Sequence, residues 1–335
     1  GDLMQGEAPT PEARARLLAG TRVMERYQPP EYRAELKVLA SALGVDYMEL
    51  MAAQLFGDVW RAPQCSSYAV WGEATADGKC YAGRNMDFWD HGIASYGMVL
   101  LHYTPDRGLP FVTVSWSGII NGWTAMNTAG IVCSNNTSGG GQESLQGIST
   151  CFMVRKVAQY ARTVAEGVEI VRRGPRAAGT NLLIAGPEGA AMVEFDHDRV
   201  AVRYSEVGAD AWTVMRDYVV AGNVFRWLLL DPGERRQGGN WGRYGTLRGL
   251  IRSRYGQLGP EDNLARVEGI PLSGMNLQCV FLCPTDRTFQ IAMGPPPASK
   301  DRFREYRLTA RGLDVIWQPQ APKISWQERL TGRNQ

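Results

Sequence analysis

Histidine is scarce in this chain: 335 residues include three, His91, His102 and His197. A nucleophilic cysteine or serine most often takes its base from histidine, so such chemistry would have few places to find one. His197 lies in Phe195-Asp196-His197-Asp198, which reads as a turn between strands, and His102 sits at a strand end before Pro105. A Cys65–His91 pair stays open, although no motif recommends it. Charge excess is also missing. Lys and Arg number 36 against 34 Asp and Glu, a net charge of +2, which gives no basic footprint for nucleic acid and no acidic partner surface. No apolar run reaches bilayer-spanning length; the longest, such as Met98-Val99-Leu100-Leu101, are strand-sized. The opening Gly1-Asp2-Leu3-Met4 lacks a basic-then-apolar signal pattern and an initiator Met. A removed upstream segment, such as a leader, is therefore an expectation, and the compartment, cytoplasmic or exported, is open.

Metal-ligand spacing is missing too. Cys65, Cys80, Cys133, Cys151, Cys279 and Cys283 are scattered, and Cys279-x-x-x-Cys283 has neither His nor a second pair beside it. No metal or cofactor is expected. If Cys65 is a working thiol, five cysteines remain, which completes no disulfide framework, so these five are expected as buried free thiols.

What is present suits a soluble globular protein with one large core: 44% hydrophobic and 21% charged residues. Residues 1–64 read as helical. Tyr32, Leu36, Leu39, Ala40 and Leu43 recur at helix spacing between Pro29-Pro30 and Gly44. Asp46 and Glu49 resemble a capping box for a second helix through Met51, Ala52 and Leu55, ended by Gly57. Residues 60–63 then form a linker that Pro63 keeps extended. Strand patterns follow at 65–71, 111–116 and 126–132, with Gly139-Gly140-Gly141 as a loop. Helices return over 150–173, with Thr163 and Glu166 as a second capping box. Strands resume at 181–184, 191–195, 200–202 and 218–220, and Tyr244, Leu247, Leu250 and Ile251 mark another helix. Cys279–Leu282 and Phe289–Ala292 flank a hairpin turn at Thr285-Asp286-Arg287. Helices bracketed by two strand-rich blocks of antiparallel character predict an α+β layered fold without internal repeats or a convincing domain boundary.

The chemistry concentrates in Cys65-Ser66-Ser67-Tyr68-Ala69-Val70-Trp71 and Gly83-Arg84-Asn85-Met86-Asp87-Phe88. With a turn at Asp77-Gly78, pairing of these strands could return Arg84 and Asp87 to within reach of the thiol. A cation beside sulfur favours the thiolate, and a carboxylate can hold an amine or a guanidinium. The alternative is an ordinary hairpin with a buried cysteine, a common fate of free Cys. With histidine scarce, a second base exists. Cleavage before Cys65 would free an α-amine of ordinary pKa about 7.7–8.0 on the same residue as the sulfur, able to act as general base.

These segments resemble the opening of the cysteine N-terminal-nucleophile hydrolases, most closely the acyltransferase/peptidase branch that includes isopenicillin N acyltransferase. Acid ceramidase, N-acylethanolamine amidase and bile-salt hydrolase are more distant. The resemblance recurs in order at Met126-Asn127-x-x-Gly130-Ile131, Thr180-Asn181-Leu182-Leu183, Ala221-Gly222-Asn223-Val224-Phe225, Arg243 opening a helix, and Leu277-Gln278-Cys279-Val280. It implies a four-layer αββα sandwich, with residues 1–64 as a helical pro-segment or small subunit and 65–335 as the catalytic large subunit. It implies Cys65 as nucleophile, freed by autocatalytic cleavage of the Gln64–Cys65 bond. Asp87 would orient the amine, and Arg84 would lower the thiol pKa or hold substrate. Asn136, or its neighbour Asn135, would donate to the oxyanion, Asn223 would donate to the tetrahedral intermediate, and Arg243 would support the site. Side-chain donors of this kind typically contribute roughly 3–4 kcal/mol.

The implied function is a self-processing cysteine amidase acting on a small-molecule N-acyl amide through an acyl-thioester. Acyl transfer to an amine is an alternative, as is a non-catalytic binding protein on the same scaffold. The two fragments would form a heterodimer after cleavage, and homo-oligomerisation is open. Trp60, Trp71, Trp89, Trp116 and Trp123 cluster around these segments. Of them, Trp89 and Trp123 are candidates for an apolar acyl pocket, against the commoner fate of core packing.

Overall fold

Proline and glycine delimit the first helices. The structure, a computed structural model, describes residues 10–59, 64–92, 94–139, 141–206, 215–228 and 239–317. The expected linker 60–63, Trp60 included, and Gly140 of the triple glycine lie outside the described residues. Helix α1 spans Pro11–Glu25, α2 Pro30–Leu43 and α3 Tyr47–Val59. Thr10 caps α1 by accepting from the Ala13 amide at 3.2 Å. Helix α2 ends on Gly44, whose φ of +65° is the left-handed conformation that glycine adopts without strain. Asp46 accepts from the Glu49 amide at 3.0 Å, so the first half of the expected capping box forms. Helix α3 does not stop at Gly57 but runs on to Val59. Gly57 serves packing instead. A Cβ there would come within 2.4 Å of the Trp123 ring, so glycine permits the helix to lie on that indole.

Fourteen strands follow among the described residues, interrupted by three more helices. Strands β1 (Gln64–Val70), β2 (Tyr81–Asp87), β10 (Tyr218–Ala221), β11 (Asn276–Cys283), β12 (Thr288–Met293), β13 (Arg304–Leu308) and β14 (Leu313–Trp317) form one sheet, in the order β10-β1-β2-β11-β12-β13-β14. Strands β3 (Met98–Tyr103), β4 (Phe111–Trp116), β5 (Thr124–Asn127), β6 (Val132–Thr137), β7 (Thr180–Gly186), β8 (Gly189–Phe195) and β9 (Val200–Arg203) form the other, in sequence order. Every pairing within them is antiparallel. Helices α4 (Thr150–Tyr160) and α5 (Val164–Arg173) lie between β6 and β7 in the chain, and α6 (Gly239–Ser253) between β10 and β11. The second expected cap forms at α5, where the Glu166 amide donates to the Thr163 hydroxyl at 3.1 Å.

Strand alternation sorts the side chains into three cores. Cys65, Ala69, Ala82 and Met86 of the first sheet meet Val114, Met126, Val132 and Leu183 of the second. On the far side of the second sheet, Cys133, Leu182 and Ile184 pack beneath Phe152 and Val157 of α4 and Tyr32, Leu36 and Leu55 of the N-terminal helices. On the far side of the first, Tyr68, Val70 and Val220 pack beneath Leu247 and Ile251 of α6. The order helix, sheet, sheet, helix is the four-layer αββα sandwich. All six cysteines are buried free thiols. Among the described residues, no helix is long and apolar enough to cross a membrane.

Candidate active site

The β1–β2 register does what the spacing of the two segments requires: Cys65 stands opposite Met86, Ser67 opposite Arg84 and Gln64 opposite Asp87. Because side chains alternate, Cys65, Ser67, Arg84 and Met86 face the second sheet, whereas Gln64 and Asp87 point to the α6 side. The Gln64–Cys65 peptide therefore straddles the sheet, with chemistry on both faces.

On the inner face, Arg84 is fully buried and donates to the Cys65 Sγ at 3.3 Å, to the Thr124 hydroxyl at 2.9 Å and to the Asn135 carbonyl at 3.0 Å. The Thr124 hydroxyl in turn donates to Gln278 Oε1 at 3.1 Å, which leaves its lone pairs turned to Arg84. Cys65 is wholly buried, and burial pushes its thiol above the ordinary value. Arg84 opposes that rise most strongly, while Arg243 and a hydrogen bond from the Asp87 amide pull the same way.

On the outer face, the Asp87 carboxylate meets Arg243 of α6 at 3.1 Å through Oδ2 and the Asn276 amide at 2.9 Å through Oδ1. Burial is the largest influence on Asp87 and raises its pKa to about 6; Asn276 and Arg243 hold it from going higher. Arg243 also donates to the Gln64 side chain at 3.2 Å and to Asn223 Oδ1 at 3.0 Å. That same Asn223 oxygen accepts the Cys65 backbone N–H at 2.9 Å, and the Asn223 amide is fixed by donating to the Thr137 carbonyl at 2.7 Å. Asn223 thus joins the two faces at the nitrogen that would become the α-amine. Here the geometry differs from the expected arrangement. The carboxylate of Asp87 is engaged by Arg243 and Asn276, and the group bonded to the Cys65 nitrogen is Asn223, acting as acceptor.

The two adjacent asparagines of β6 separate by the same alternation. Asn136 lies on the inter-sheet face and donates to the Ser67 hydroxyl at 2.7 Å, one residue pair along β1 from Cys65. The Asn135 side chain lies on the helix side, in the wall of a small cavity shared with Trp123, Thr150 and Cys151. Trp123 is buried, edge-on to Trp116 and tilted against Phe56 of α3. Trp89 is 54% exposed, beyond the end of β2. His91 sits on the exposed loop that follows, edge-on to Phe88, with a backbone φ of +48°. His197 is bonded to the Arg176 carbonyl, far along the chain from β1, and His102 lies in β3 of the other sheet.

Asn276, Thr124 and Gln278 were not singled out from sequence, although each has a signal nearby. Asn276 and Gln278 lie at or beside the Leu277–Val280 segment, and Thr124 follows the candidate Trp123. Among the described residues no His/Cys/Asp/Glu cluster could hold a metal ion.

Residues 74–213 match the family described as acyl-coenzyme A:6-aminopenicillanic acid acyl-transferase. An uncharacterized protein of Archaeoglobus fulgidus is 26% identical over 277 residues, covering 71% of this chain and 46% of its own length. Protein dcd1B of Dictyostelium discoideum is 25% identical over 183 residues, 53% of this chain and 36% of its own. The chain thus spans less than half the length of these curated relatives. Among solved structures, it resembles the Caenorhabditis elegans N-acylethanolamine-hydrolyzing acid amidase ortholog with a TM-score of 0.50 and 14% identity, over 75% of this chain and all of that one. A mutant of the conjugated bile acid hydrolase of Clostridium perfringens gives a TM-score of 0.54 and 11% identity, over 78% of this chain and 99% of that one. At such identities the structures speak to fold, and the family match adds the sequence link. The chain thus shares the fold of these two hydrolases and, over residues 74–213, is similar in sequence to the acyl-transferase family.

Proposed function

We propose that the chain is a self-processing amidohydrolase that cleaves the amide bond of an N-acylated small molecule, with Cys65 as nucleophile. The observation that carries this reading is the pair of contacts on one residue: Arg84 on the Cys65 sulfur at 3.3 Å and Asn223 on the Cys65 nitrogen at 2.9 Å. A structural cysteine needs neither.

In the first reaction the Cys65 sulfur attacks the Gln64 carbonyl carbon. The C–N bond breaks, the nitrogen keeps its electron pair and takes up the thiol proton, and a thioester joins Gln64 to Cys65. Water then releases the Gln64 carboxylate and restores the thiol, now beside a free α-amine. Residues 1–64 would be the small fragment and Cys65 the first residue of the large one. The two would stay together as a heterodimer, since Leu36, Met51 and Leu55 are part of the core with Phe152.

In the second reaction the α-amine, held by Asn223, accepts the thiol proton as sulfur attacks the substrate carbonyl. Arg84 offsets the charge that develops on sulfur. Asn136 is the donor on the correct face to meet the oxyanion once it turns from Ser67. The amine returns the proton to the leaving nitrogen, and water hydrolyses the acyl-thioester. Trp123 and Trp89 would contact the acyl group. Transfer of the acyl group to an amine is the second reading, favoured by the acyltransferase named in the matched family.

The test is to mix the processed protein with a panel of N-acyl amino acids, acyl amines and β-lactams and quench in acid. A mass increase equal to the acyl group on the peptide that begins at Cys65 supports the reading. Turnover that persists in Cys65→Ala refutes it.

A further inference from the structure

A second charged cluster lies buried between the end of the second sheet and α6. Arg203, at the end of β9, is buried, as are Glu194 of β8 and Glu206. The Arg203 guanidinium donates to Glu194 at 2.7 Å, to Glu206, and to the Val220 carbonyl of β10 at 3.0 Å. Glu194 Oε2 accepts three successive amides, those of Arg226, Trp227 and Leu228, at 2.9, 2.6 and 2.9 Å. Glu206 accepts the Val220 amide at 3.1 Å and the Tyr244 hydroxyl at 2.5 Å, and pairs with Arg226 at 3.1 Å.

Two carboxylates here face two guanidiniums, and each is tied to backbone. Such a cluster adds little stability, because desolvation of the charges cancels much of their attraction and apolar side chains of equal volume serve as well. What it does is join three segments. The stretch 223–228 leaves β10 with Asn223 at its start and is gripped by Glu194 near its end. Helix α6 carries Arg243 and, next to it, the Tyr244 that Glu206 holds. Arg203 links the two carboxylates. Asn223 and Arg243, which meet at 3.0 Å beside the Cys65 nitrogen, are thereby positioned from one buried source.

We propose that Glu194, Arg203 and Glu206 are positioning residues for the Cys65 reaction, a buried tie ended by the Tyr244 hydroxyl that sets Asn223 and Arg243 against the Cys65 nitrogen. The proposal rests on the reading of Cys65 as the reacting group. Loosening the tie lets Arg243 withdraw from Asn223 and from Asp87, so the reacting geometry suffers more than substrate binding. The groups around Asp87 are Arg243 of α6, Asn276 of β11, Arg84 of its own strand and Cys65 of β1. Arg243 is the one the cluster controls, and its withdrawal makes the carboxylate easier to protonate.

The experiment compares wild type with Tyr244→Phe and Glu206→Gln, both close to isosteric, in steady-state kinetics across pH. For Tyr244→Phe we expect kcat to fall about tenfold with KM within about twofold, and the acidic limb of the kcat profile to move to higher pH. Glu206→Gln should move both in the same direction and further; if it fails to fold, Tyr244→Phe decides alone. A lowered melting temperature with unchanged kcat and an unmoved acidic limb would mark the cluster as merely structural and overturn the proposal. A wild-type protein without Cys65-dependent turnover would instead remove the underlying reading, and the positioning role with it.

Discussion

Replacing Arg84 by methionine removes the only guanidinium bonded to the Cys65 sulfur among the described residues while keeping an unbranched side chain of similar reach. At 3.3 Å, a full charge on sulfur would interact with the guanidinium by about 5 kcal/mol at an effective dielectric near 20. Only part of that charge has developed in the transition state for attack. Roughly half the interaction, about 2–3 kcal/mol, is therefore at stake, or about 30- to 150-fold in rate. The thiol, already raised by burial, loses its strongest opposing influence. The fold should tolerate the change. The Asn135 carbonyl loses its bond to Arg84, at a cost of about 1–3 kcal/mol for an unmet buried acceptor. Relief of a desolvated cation offsets part of that. The assay is a time course of self-cleavage by intact mass, with kcat and KM on the processed fraction and a thermal melt alongside. Slow cleavage and low kcat at nearly unchanged KM are expected. An Arg84→Met protein that cleaves and turns over within about threefold of wild type, far short of the loss worked above, would refute the electrostatic role.

Two further predictions concern the outer face and the helical segment. Asp87, raised by burial to about 6, binds its proton more tightly folded than unfolded, where the ordinary value is about 3.9. Its contribution to stability is therefore full below the unfolded value and lost as pH rises through about 6. Activity should move the other way, growing through about 6 as the carboxylate that holds Arg243 ionises; a kcat profile of wild type against Asp87→Asn, with the limb absent from the variant, checks this. Asp58 of α3 accepts from the Ser149 hydroxyl at 2.6 Å and from the Thr150 amide and hydroxyl at 3.0 and 2.7 Å, which caps α4 from a distant part of the chain. Asp58→Ala should cost about 0.5–2 kcal/mol, the range for loss of an N-cap. After cleavage it should let the small fragment dissociate at lower urea concentration in size-exclusion chromatography.

How much of this was legible depended on whether a residue's partner lay within one local pattern. The period-two alternation from Cys65 and the turn at Asp77-Gly78 sufficed to pair β1 with β2 and to bring Arg84 to the sulfur. The same alternation sends Asp87 to the opposite face, a consequence that pairing alone does not reveal, because its partner Arg243 arrives on a helix 156 positions away. The capping boxes at Asp46 and Thr163 were legible because donor and acceptor are three residues apart. Gly57 looked like a helix stop and is instead a contact with Trp123, which only tertiary packing discloses. Asn135 and Asn136 were indistinguishable as neighbours in a loop-like run until β6 assigned them to opposite faces. The Glu194–Arg203–Glu206 cluster left no signal, since charged residues at the ends of strands read as solvated. Strand β13 is hidden in the sequence for a related reason, three of its five residues being charged, and the edge strand β14 is short and largely exposed, so no buried face marks it.

The most direct test of Cys65 as a latent N-terminus is the intact mass of the purified chain, with the amino-terminal sequence of whatever fragments it contains. The wild-type protein should divide into one fragment ending at Gln64 and one beginning with Cys65, and a Cys65→Ala protein should stay whole. A wild-type chain that stays whole yet shows Cys65-dependent turnover would contradict the claim that the α-amine is the base. Loss of that turnover in His91→Ala would then identify the group that replaces it.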